Sequence, residues 1–141
     1  MNGNNQMPHD VEAEQSVLGA ILVNPEIFIS IYETLDPEDF YRNEHQQVFL
    51  AMALLSEERT HIDLVTLTNQ LRTMDQLNVI GGPRYLGELS EFVPTSLNWT
   101  FYSNIVAKYS LRRKLIETVS EIATEGFSEE FDIEDILNEA E

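Results

Sequence analysis

Apolar side chains recur every three or four residues along most of the chain, which is the pattern of amphipathic helices. Asp10 is a favourable N-cap for the first such segment, in which Val17, Leu18 and Ile21 share one face. Comparable start signals follow at Asn24-Pro25, Asp36-Pro37, Asn43, Asp63 and Gly81-Gly82-Pro83. Alternation with a period of two is nearly absent. The sequence therefore predicts an all-α fold.

The character of the chain changes after Pro94. Residues 96–125 contain neither proline nor glycine, and Gly126 stands where a helix would end. A continuous helix of that length spans about 45 Å, which is more than a compact head of this size requires. Asp132 can then cap a further helix, whose apolar pattern runs up to the end of the chain.

These features divide the chain into three parts. We expect a flexible N-terminal arm over residues 1–8, a helical head over residues 9–95 and a helical hairpin over residues 96–141. The second helix of this hairpin is expected to be cut short by the chain end. We therefore expect the chain to be a fragment of a longer protein.

The long helix carries an apolar stripe. Its members follow a spacing close to a heptad seam that is interrupted by an arginine. One interpretation is that the stripe associates with a second copy of the chain, and the alternative is that it folds back onto the head. The predicted self-association residues are Ile105, Tyr109, Arg112, Ile116, Val119 and Ala123.

Charge narrows the choice of partners. The chain has 25 acidic and 8 basic residues, a net charge of -17 at pH 7. Such a surface repels a phosphate backbone, so strong direct binding of nucleic acid is not expected. Half of the basic residues cluster on the long helix, namely Lys108, Arg112, Arg113 and Lys114. They can pair with acids of neighbouring helices, contact an acidic partner or a second copy, or touch nucleic acid.

No catalytic, cofactor or metal site is predicted from the residues. None of the six glycines belongs to a phosphate-binding loop, and the chain has no cysteine. Glu58-x-x-His61 occurs once, whereas a di-metal bundle site needs two such pairs, so we interpret it as a polar turn. The longest apolar runs are too short to span a membrane, and no secretory leader opens the chain, so we expect a cytoplasmic protein.

Several strings, taken together and in order, resemble the N-terminal domain of the bacterial replicative DNA helicase, the DnaB family. The resemblance covers roughly residues 8–127 and begins with Asp10-Val-Glu12-Ala-Glu14-Gln15-Ser16-Val17-Leu18-Gly19-Ala20. The further matches are Pro37-Glu-Asp39-Phe40-Tyr41, His45-Gln-Gln-Val-Phe49, Ile62-Asp63-Leu64-Val65-Thr66, Gly81-Gly82-Pro-Arg-Tyr85-Leu86, Val93-Pro94-Thr95, and Tyr102 with Ile105-Val106.

The resemblance implies a non-catalytic module. In that family a helical head precedes a hairpin, hairpins of neighbouring subunits pair, and six domains form a collar that is a trimer of dimers. The collar sits on a ring of ATPase domains that use ATP and Mg²⁺ to move 5′ to 3′ along single-stranded DNA in the bacterial cytoplasm. Primase docks on the collar through its C-terminal helical domain, and the collar also influences helicase loaders. Both a chromosomal and a phage origin are compatible with the sequence.

The resemblance also implies contact residues for primase. On the head these are Glu12 and Tyr85, and on the long helix they are Arg113, Ile116 and Ile122. The alternative for Tyr85, Ile116 and Ile122 is core packing, and for Glu12 it is first-turn helix electrostatics. Arg113 is expected to be an exposed guanidinium that is free to pair across an interface.

A second hypothesis is a free-standing acidic adaptor or inhibitor that mimics the helicase collar. The two hypotheses differ in whether the gene continues past Glu141 into a linker and an ATPase domain.

Overall fold

The computed structural model describes residues 6–92, 98–128 and 132–140, and all regular structure in these ranges is helical. The α-helices are α1 (Val11–Val23), α2 (Phe28–Tyr32), α3 (Asn43–Glu57), α4 (Leu64–Thr73), α5 (Leu77–Ile80), α6 (Gly82–Phe92), α7 (Trp99–Gly126) and α8 (Ile133–Ala140). Two 3-10 helical turns lie at Pro25–Ile27 and Pro37–Asp39. The prediction of an all-α fold is confirmed.

Helix α1 is the central element of the head, because α3, α6 and α7 all pack against it. Its Val17, Leu18 and Ile21 are fully buried, as the helical pattern predicts. An aromatic cluster fills the space beside it, in which the rings of Phe28 and Phe40 lie 5.3 and 4.9 Å from that of Phe49. Burial of each such side chain contributes about 1.5–3 kcal/mol, so this core holds the head together.

Two of the predicted helix starts are confirmed in detail. The side chain of Asp10 accepts a hydrogen bond from the Ala13 backbone N–H at 3.0 Å. Asp63 and Thr66 bond reciprocally, each side chain accepting from the backbone N–H of the other, at 2.8 and 3.0 Å. Both motifs satisfy N–H groups that a helix terminus leaves without partners.

Of the two asparagine starts, one is confirmed in position and the other is wrong. Asn24 is the N-cap of the turn that begins at Pro25, as predicted, but its side chain makes no capping hydrogen bond. Asn43 is already the first residue of α3, and Arg42 takes the capping position. The side-chain oxygen of Asn43 instead accepts a hydrogen bond from the side-chain amide of Gln47. Local sequence therefore located these starts to within a residue but not their hydrogen bonds.

The root of α7 lies against the head. Ser103, Val106, Ser110 and Arg113 are the buried residues of this 28-residue helix, and α8 packs back on its far end. The predicted boundary between head and hairpin at residues 95 and 96 lies outside the described residues, as does the Val93-Pro94-Thr95 match. Most of the predicted arm also lies outside them.

No single described helix is long and apolar enough to cross a membrane, although α1 and the bent segment Pro25–Tyr32 together pass by length and composition.

Candidate protein-interaction surface

Asp39 fastens α7 to the head. Its Oδ1 accepts a hydrogen bond from Ser110 Oγ at 2.6 Å and lies 3.2 Å from Lys114 Nζ, while Oδ2 accepts from the Asp36 backbone N–H at 2.7 Å. Burial alone would raise the pKa of this carboxyl, but the hydrogen bonds from Asp36, Ser110 and Lys114 outweigh it and lower the pKa below its ordinary 3.8. The ionised form is therefore the one that holds α7.

Arg113 is the second part of this anchor, and the prediction that it is exposed is wrong. Only 9% of the residue is exposed. Its guanidinium donates to the backbone carbonyls of Pro8 at 2.9 Å and Asp39 at 2.6 Å, and it lies 5.5 Å from the centroid of the Tyr41 ring. Arg113 follows Ser110 by three residues, so the two share the face of α7 that meets the head. Its burial overturns the expectation of a guanidinium that is free to pair across an interface, while the primase contact implied by the resemblance stays a prediction.

The other cations of the cluster have different surroundings. Lys114 pairs with Asp39, as the first of the three interpretations expected. Arg112 is exposed and lies 5.6 Å from the centroid of the Tyr109 ring, and Lys108 is exposed as well. Arg112 and Lys108 thus remain accessible on α7.

A buried polar network occupies the centre of the head. His45 Nδ1 lies 2.7 Å from Glu14 Oε1, and His45 Nε2 lies 2.6 Å from the hydroxyl of Tyr85. The Glu14 carboxylate also accepts from the backbone N–H groups of Tyr41 at 2.7 Å and Arg42 at 3.3 Å. His45 is completely buried and Glu14 is 2% exposed. Full pairing of this kind is what makes buried polar groups tolerable.

The roles of Glu14 and His45 were not predicted from the sequence. A usable signal was present, because each polar residue stands on the apolar stripe of its own helix. Glu14 precedes Val17 and Ile21 at helical spacing, and His45 precedes Phe49 in the same way. A charged or titratable residue on a buried stripe predicts a polar partner inside the fold.

The predicted partner contacts on the head lie on two helices. Glu12, on α1, is exposed and lines a cleft that Phe92 of α6 and Phe101 of α7 also line. Tyr85, on α6, is half-buried, and burial raises its pKa above the ordinary 10.0, while the hydrogen bond from Gln15 acts in the opposite direction. Its hydroxyl is therefore a neutral hydrogen-bond donor at physiological pH.

The predicted seam for self-association is divided between two environments. Ile105 is half-buried and packs against the head core, which agrees with the alternative that the stripe folds back. Tyr109 is half-buried as well, whereas Ile116, Val119 and Ala123 are exposed. The seam therefore meets the head at its start and solvent further along.

An outward apolar face begins opposite Arg113. We give this name to Leu111, Leu115, Ile116 and Val119 of α7, which are 69, 63, 42 and 56% exposed. Four large aliphatic side chains within nine residues form a contiguous apolar strip in solvent, which is typical of a surface that binds another protein. Leu111 and Leu115 were not among the predicted self-association residues, so the sequence pattern predicted only part of this face.

The far end of the hairpin is acidic and only loosely packed. Ile122 of α7 and Ile136 of α8 are half-buried, but Ile133 and Leu137 of α8 remain exposed. A hydrogen bond with Glu139 raises the pKa of Glu125 above its ordinary 4.5, with burial and repulsion adding to the effect. Because this pKa is raised, the contact stabilises the hairpin fully at pH values below the ordinary pKa of 4.5. The stabilisation is lost as the pH rises through the pKa of the folded chain. At neutral pH the two arms repel at this point.

Comparison with known proteins places these features in a family. Residues 6–108 match the family model of the DnaB-like helicase N terminal domain. The replicative DNA helicase DnaB of Geobacillus stearothermophilus is 43% identical over 134 residues, which are 95% of this chain and 30% of the relative. The chain therefore spans less than a third of the length of that relative.

Two solved structures are similar in fold. The N-terminal domain of DnaB helicase from Mycobacterium tuberculosis matches with a TM-score of 0.89 and 36% identity, covering 96% of this chain and 95% of that one. A DnaB-like replicative helicase, described with its interactions with primase, matches with a TM-score of 0.78 and 28% identity. That match covers 93% of this chain and 31% of the other.

The ionised Asp39 makes a pH-dependent contribution to stability. Because the pKa of Asp39 is lower in the folded chain, its contribution to the free energy of unfolding is present at pH values above the ordinary pKa of 3.8. The contribution is lost as the pH falls through the pKa of the folded chain. We expect Asp39→Asn to lower the free energy of unfolding at pH 7 and to lose this difference from the wild type in acid. Urea unfolding between pH 7 and pH 2.5, with the exposed Glu58→Gln as control, measures it. A difference that is independent of pH would contradict the assignment.

The anchor also predicts unequal effects of two neighbouring arginines. Arg113→Ala removes two charge-assisted hydrogen bonds and leaves two carbonyls without them, so we expect a loss of about 2–4 kcal/mol in the free energy of unfolding. Arg112→Ala removes an exposed guanidinium from the same helix and should change stability by less than about 0.5 kcal/mol. Chemical denaturation of both variants tests the assignment, and equal effects would show that Arg113 does not anchor α7.

Proposed function

The chain belongs to the DnaB-like helicase N-terminal domain family, and from that premise we propose that it is the non-catalytic collar domain of a bacterial replicative DNA helicase. Six copies would assemble as a trimer of dimers on a ring of ATPase domains. The whole protein would use ATP and Mg²⁺ to move 5′ to 3′ along single-stranded DNA in the cytoplasm. The chain spans 30% of the relative's length, so the motor would lie in a part of the protein outside this chain.

The outward apolar face is the observation that carries the proposed collar role. Three of its four residues, Leu115, Ile116 and Val119, lie on the part of α7 that extends beyond Arg113, where no residue of the helix is fully buried. An aliphatic strip of this size is stabilised when a second helix covers it, and heptad-like spacing suits another helix of the same kind. We therefore propose pairing of hairpins from two copies, with Ile116, Val119 and Ala123 in the contact.

Primase is the second proposed partner. Support comes from the related helicase that is described with its interactions with primase, and from the exposure of Glu12 and Ile116. Tyr85 and Ile122 are half-buried, so each keeps part of its side chain available to a partner. We propose that the helical C-terminal domain of primase binds across these head and hairpin residues, and that helicase loaders act on the same collar.

Self-association is tested with two adjacent residues. Val119→Asp places a charge on the outward apolar face, where it would be buried without a partner in a dimer. Ser120→Asp adds the same charge about 100° further round the helix. We expect Val119→Asp to shift the chain to a smaller species in sedimentation velocity, while Ser120→Asp behaves like the wild type and both retain their helicity. The same sedimentation for both variants would contradict pairing through this face.

Docking of primase is tested by calorimetric titration with the C-terminal domain of primase. We expect saturable binding to the wild-type chain. Ile116→Ser should weaken it about 5- to 30-fold, the usual effect of truncating a central interface side chain. Ile29→Ser removes a similar side chain, 59% exposed, from α2 and serves as the control. Absence of binding to the wild type, or equal losses in both variants, would contradict the proposed docking site.

A further inference from the structure

We propose that Glu14 and His45 are positioning residues that couple the hydroxyl of Tyr85 to the anchor of α7. A change at Tyr85 would then alter how firmly the hairpin is held to the head. The coupling is a property of the chain by itself. Its use by a docking partner rests on the proposed function.

The first half of the coupling is a chain of short hydrogen bonds through the head. The Tyr85 hydroxyl lies 2.6 Å from His45 Nε2, and His45 Nδ1 lies 2.7 Å from Glu14 Oε1. With its proton on Nδ1, the His45 ring donates to the Glu14 carboxylate and accepts from the Tyr85 hydroxyl, so both ring nitrogens are hydrogen-bonded. The bonds connect α6 to α3 and α3 to α1, so three helices are held by one imidazole.

The second half leads from Glu14 to the loop before α3. The carboxylate accepts from the N–H groups of Tyr41 and Arg42, which fixes the backbone at this point of the loop. The ring of Tyr41 then lies between two other groups. It stacks on the His9 ring at 4.0 Å, and the Arg113 guanidinium lies 5.5 Å from its centroid.

Asp39, just before this loop, carries two of the three acceptors of the anchor, and the Pro8 carbonyl is the third. Asp39 stands two residues before Tyr41, its carbonyl accepts from Arg113 at 2.6 Å, and its carboxylate accepts from Ser110 at 2.6 Å. A displacement of the Tyr41 backbone therefore also displaces the groups to which α7 is bonded. Glu14 is the only described side chain whose carboxylate bonds to the Tyr41 N–H, so it sets the position of this loop.

The energetic reason for the coupling is burial. A buried carboxylate or imidazole that loses one hydrogen-bond partner cannot replace it with water. Either its remaining hydrogen bonds rearrange or the group stays unsatisfied, which is unfavourable. Hydrogen bonds in such a network also polarise one another, which makes the effect of removing one bond larger at its neighbours. Tyr85 is half-buried and is thus the member of the chain of bonds that a partner can reach.

The test removes a single oxygen atom at each of two positions. Tyr85→Phe deletes the hydroxyl that lies 2.6 Å from His45 Nε2, and with it the longer, 3.4 Å hydrogen bond from Gln15. Tyr32→Phe is the matched control, because Tyr32 is packed through its ring and its hydroxyl makes no hydrogen bond among the described residues. Both variants keep the aromatic ring, so both are expected to fold. Amide hydrogen exchange is measured on the chain alone in residues 106–114 of α7, with residues 67–71 of α4 as the internal reference.

We expect Tyr85→Phe to speed exchange in the α7 segment about threefold to tenfold, the factor expected for one hydrogen bond, while the α4 segment and Tyr32→Phe stay near wild-type rates. A merely structural role would accelerate α4 as much as α7, and that result would overturn the coupling. Unchanged exchange in α7 would overturn it as well.

Arg113→Lys provides a second measurement, since lysine keeps the charge but not the two-carbonyl geometry. Coupling predicts that the factors by which Tyr85→Phe and Arg113→Lys speed exchange do not multiply in the double variant. Residues without shared partners usually give independent effects, so a simple product would overturn the coupling. Because these experiments contain no primase, their failure and the failure of primase docking are separate results.

Discussion

The buried guanidinium of Arg113 is the constraint on which the shape of the molecule depends. A cation removed from water must keep its acceptors, and both of these are backbone carbonyls, of Pro8 and of Asp39. Backbone acceptors cannot swing to follow a rotating helix, so they fix α7 both along and around its axis. Once that orientation is fixed, the side of α7 that points to solvent is fixed with it. The outward apolar face is therefore a consequence of the anchor.

The charge distribution fits a domain that binds proteins through apolar contacts. Ten acidic residues and no basic residue follow Lys114, so the hairpin beyond the anchor is strongly negative. Repulsion between Glu125 and Glu139 disfavours tight closure of an isolated hairpin at neutral pH. Ile133 and Leu137 of α8 are exposed in this hairpin, because α7 does not cover them. A partner helix that covers them supplies the burial that the single chain lacks.

Sequence alone located most helices, because capping and helical periodicity are local properties. Asp10 and Asp63 cap the expected helices, since an N-cap side chain bonds to a backbone N–H within the next three residues. The exposure of Arg113 was predicted wrongly, because the rotation of α7 against the head depends on carbonyls about 74 and 105 residues away. The Glu14–His45–Tyr85 network joins three helices, so no single segment encodes it. The strings that carry the resemblance include Glu14, His45 and Tyr85 of this network and Asp39 of the anchor.

The length of α7 turns a small change at the anchor into a large one at the hairpin. About 13 residues separate Arg113 from Gly126, which at 1.5 Å per residue is roughly 20 Å of helix with no fully buried side chain. A tilt of about 10° at the anchor would move the far end by about 3–4 Å, a distance comparable to the van der Waals contact of one carbon with another. A contact between two hairpins tolerates no such displacement, because packed interfaces lose attraction over fractions of an ångström. In the proposed pairing of hairpins, the hydrogen bonds that position Asp39 and Tyr41 would therefore influence how the far end of α7 meets a partner.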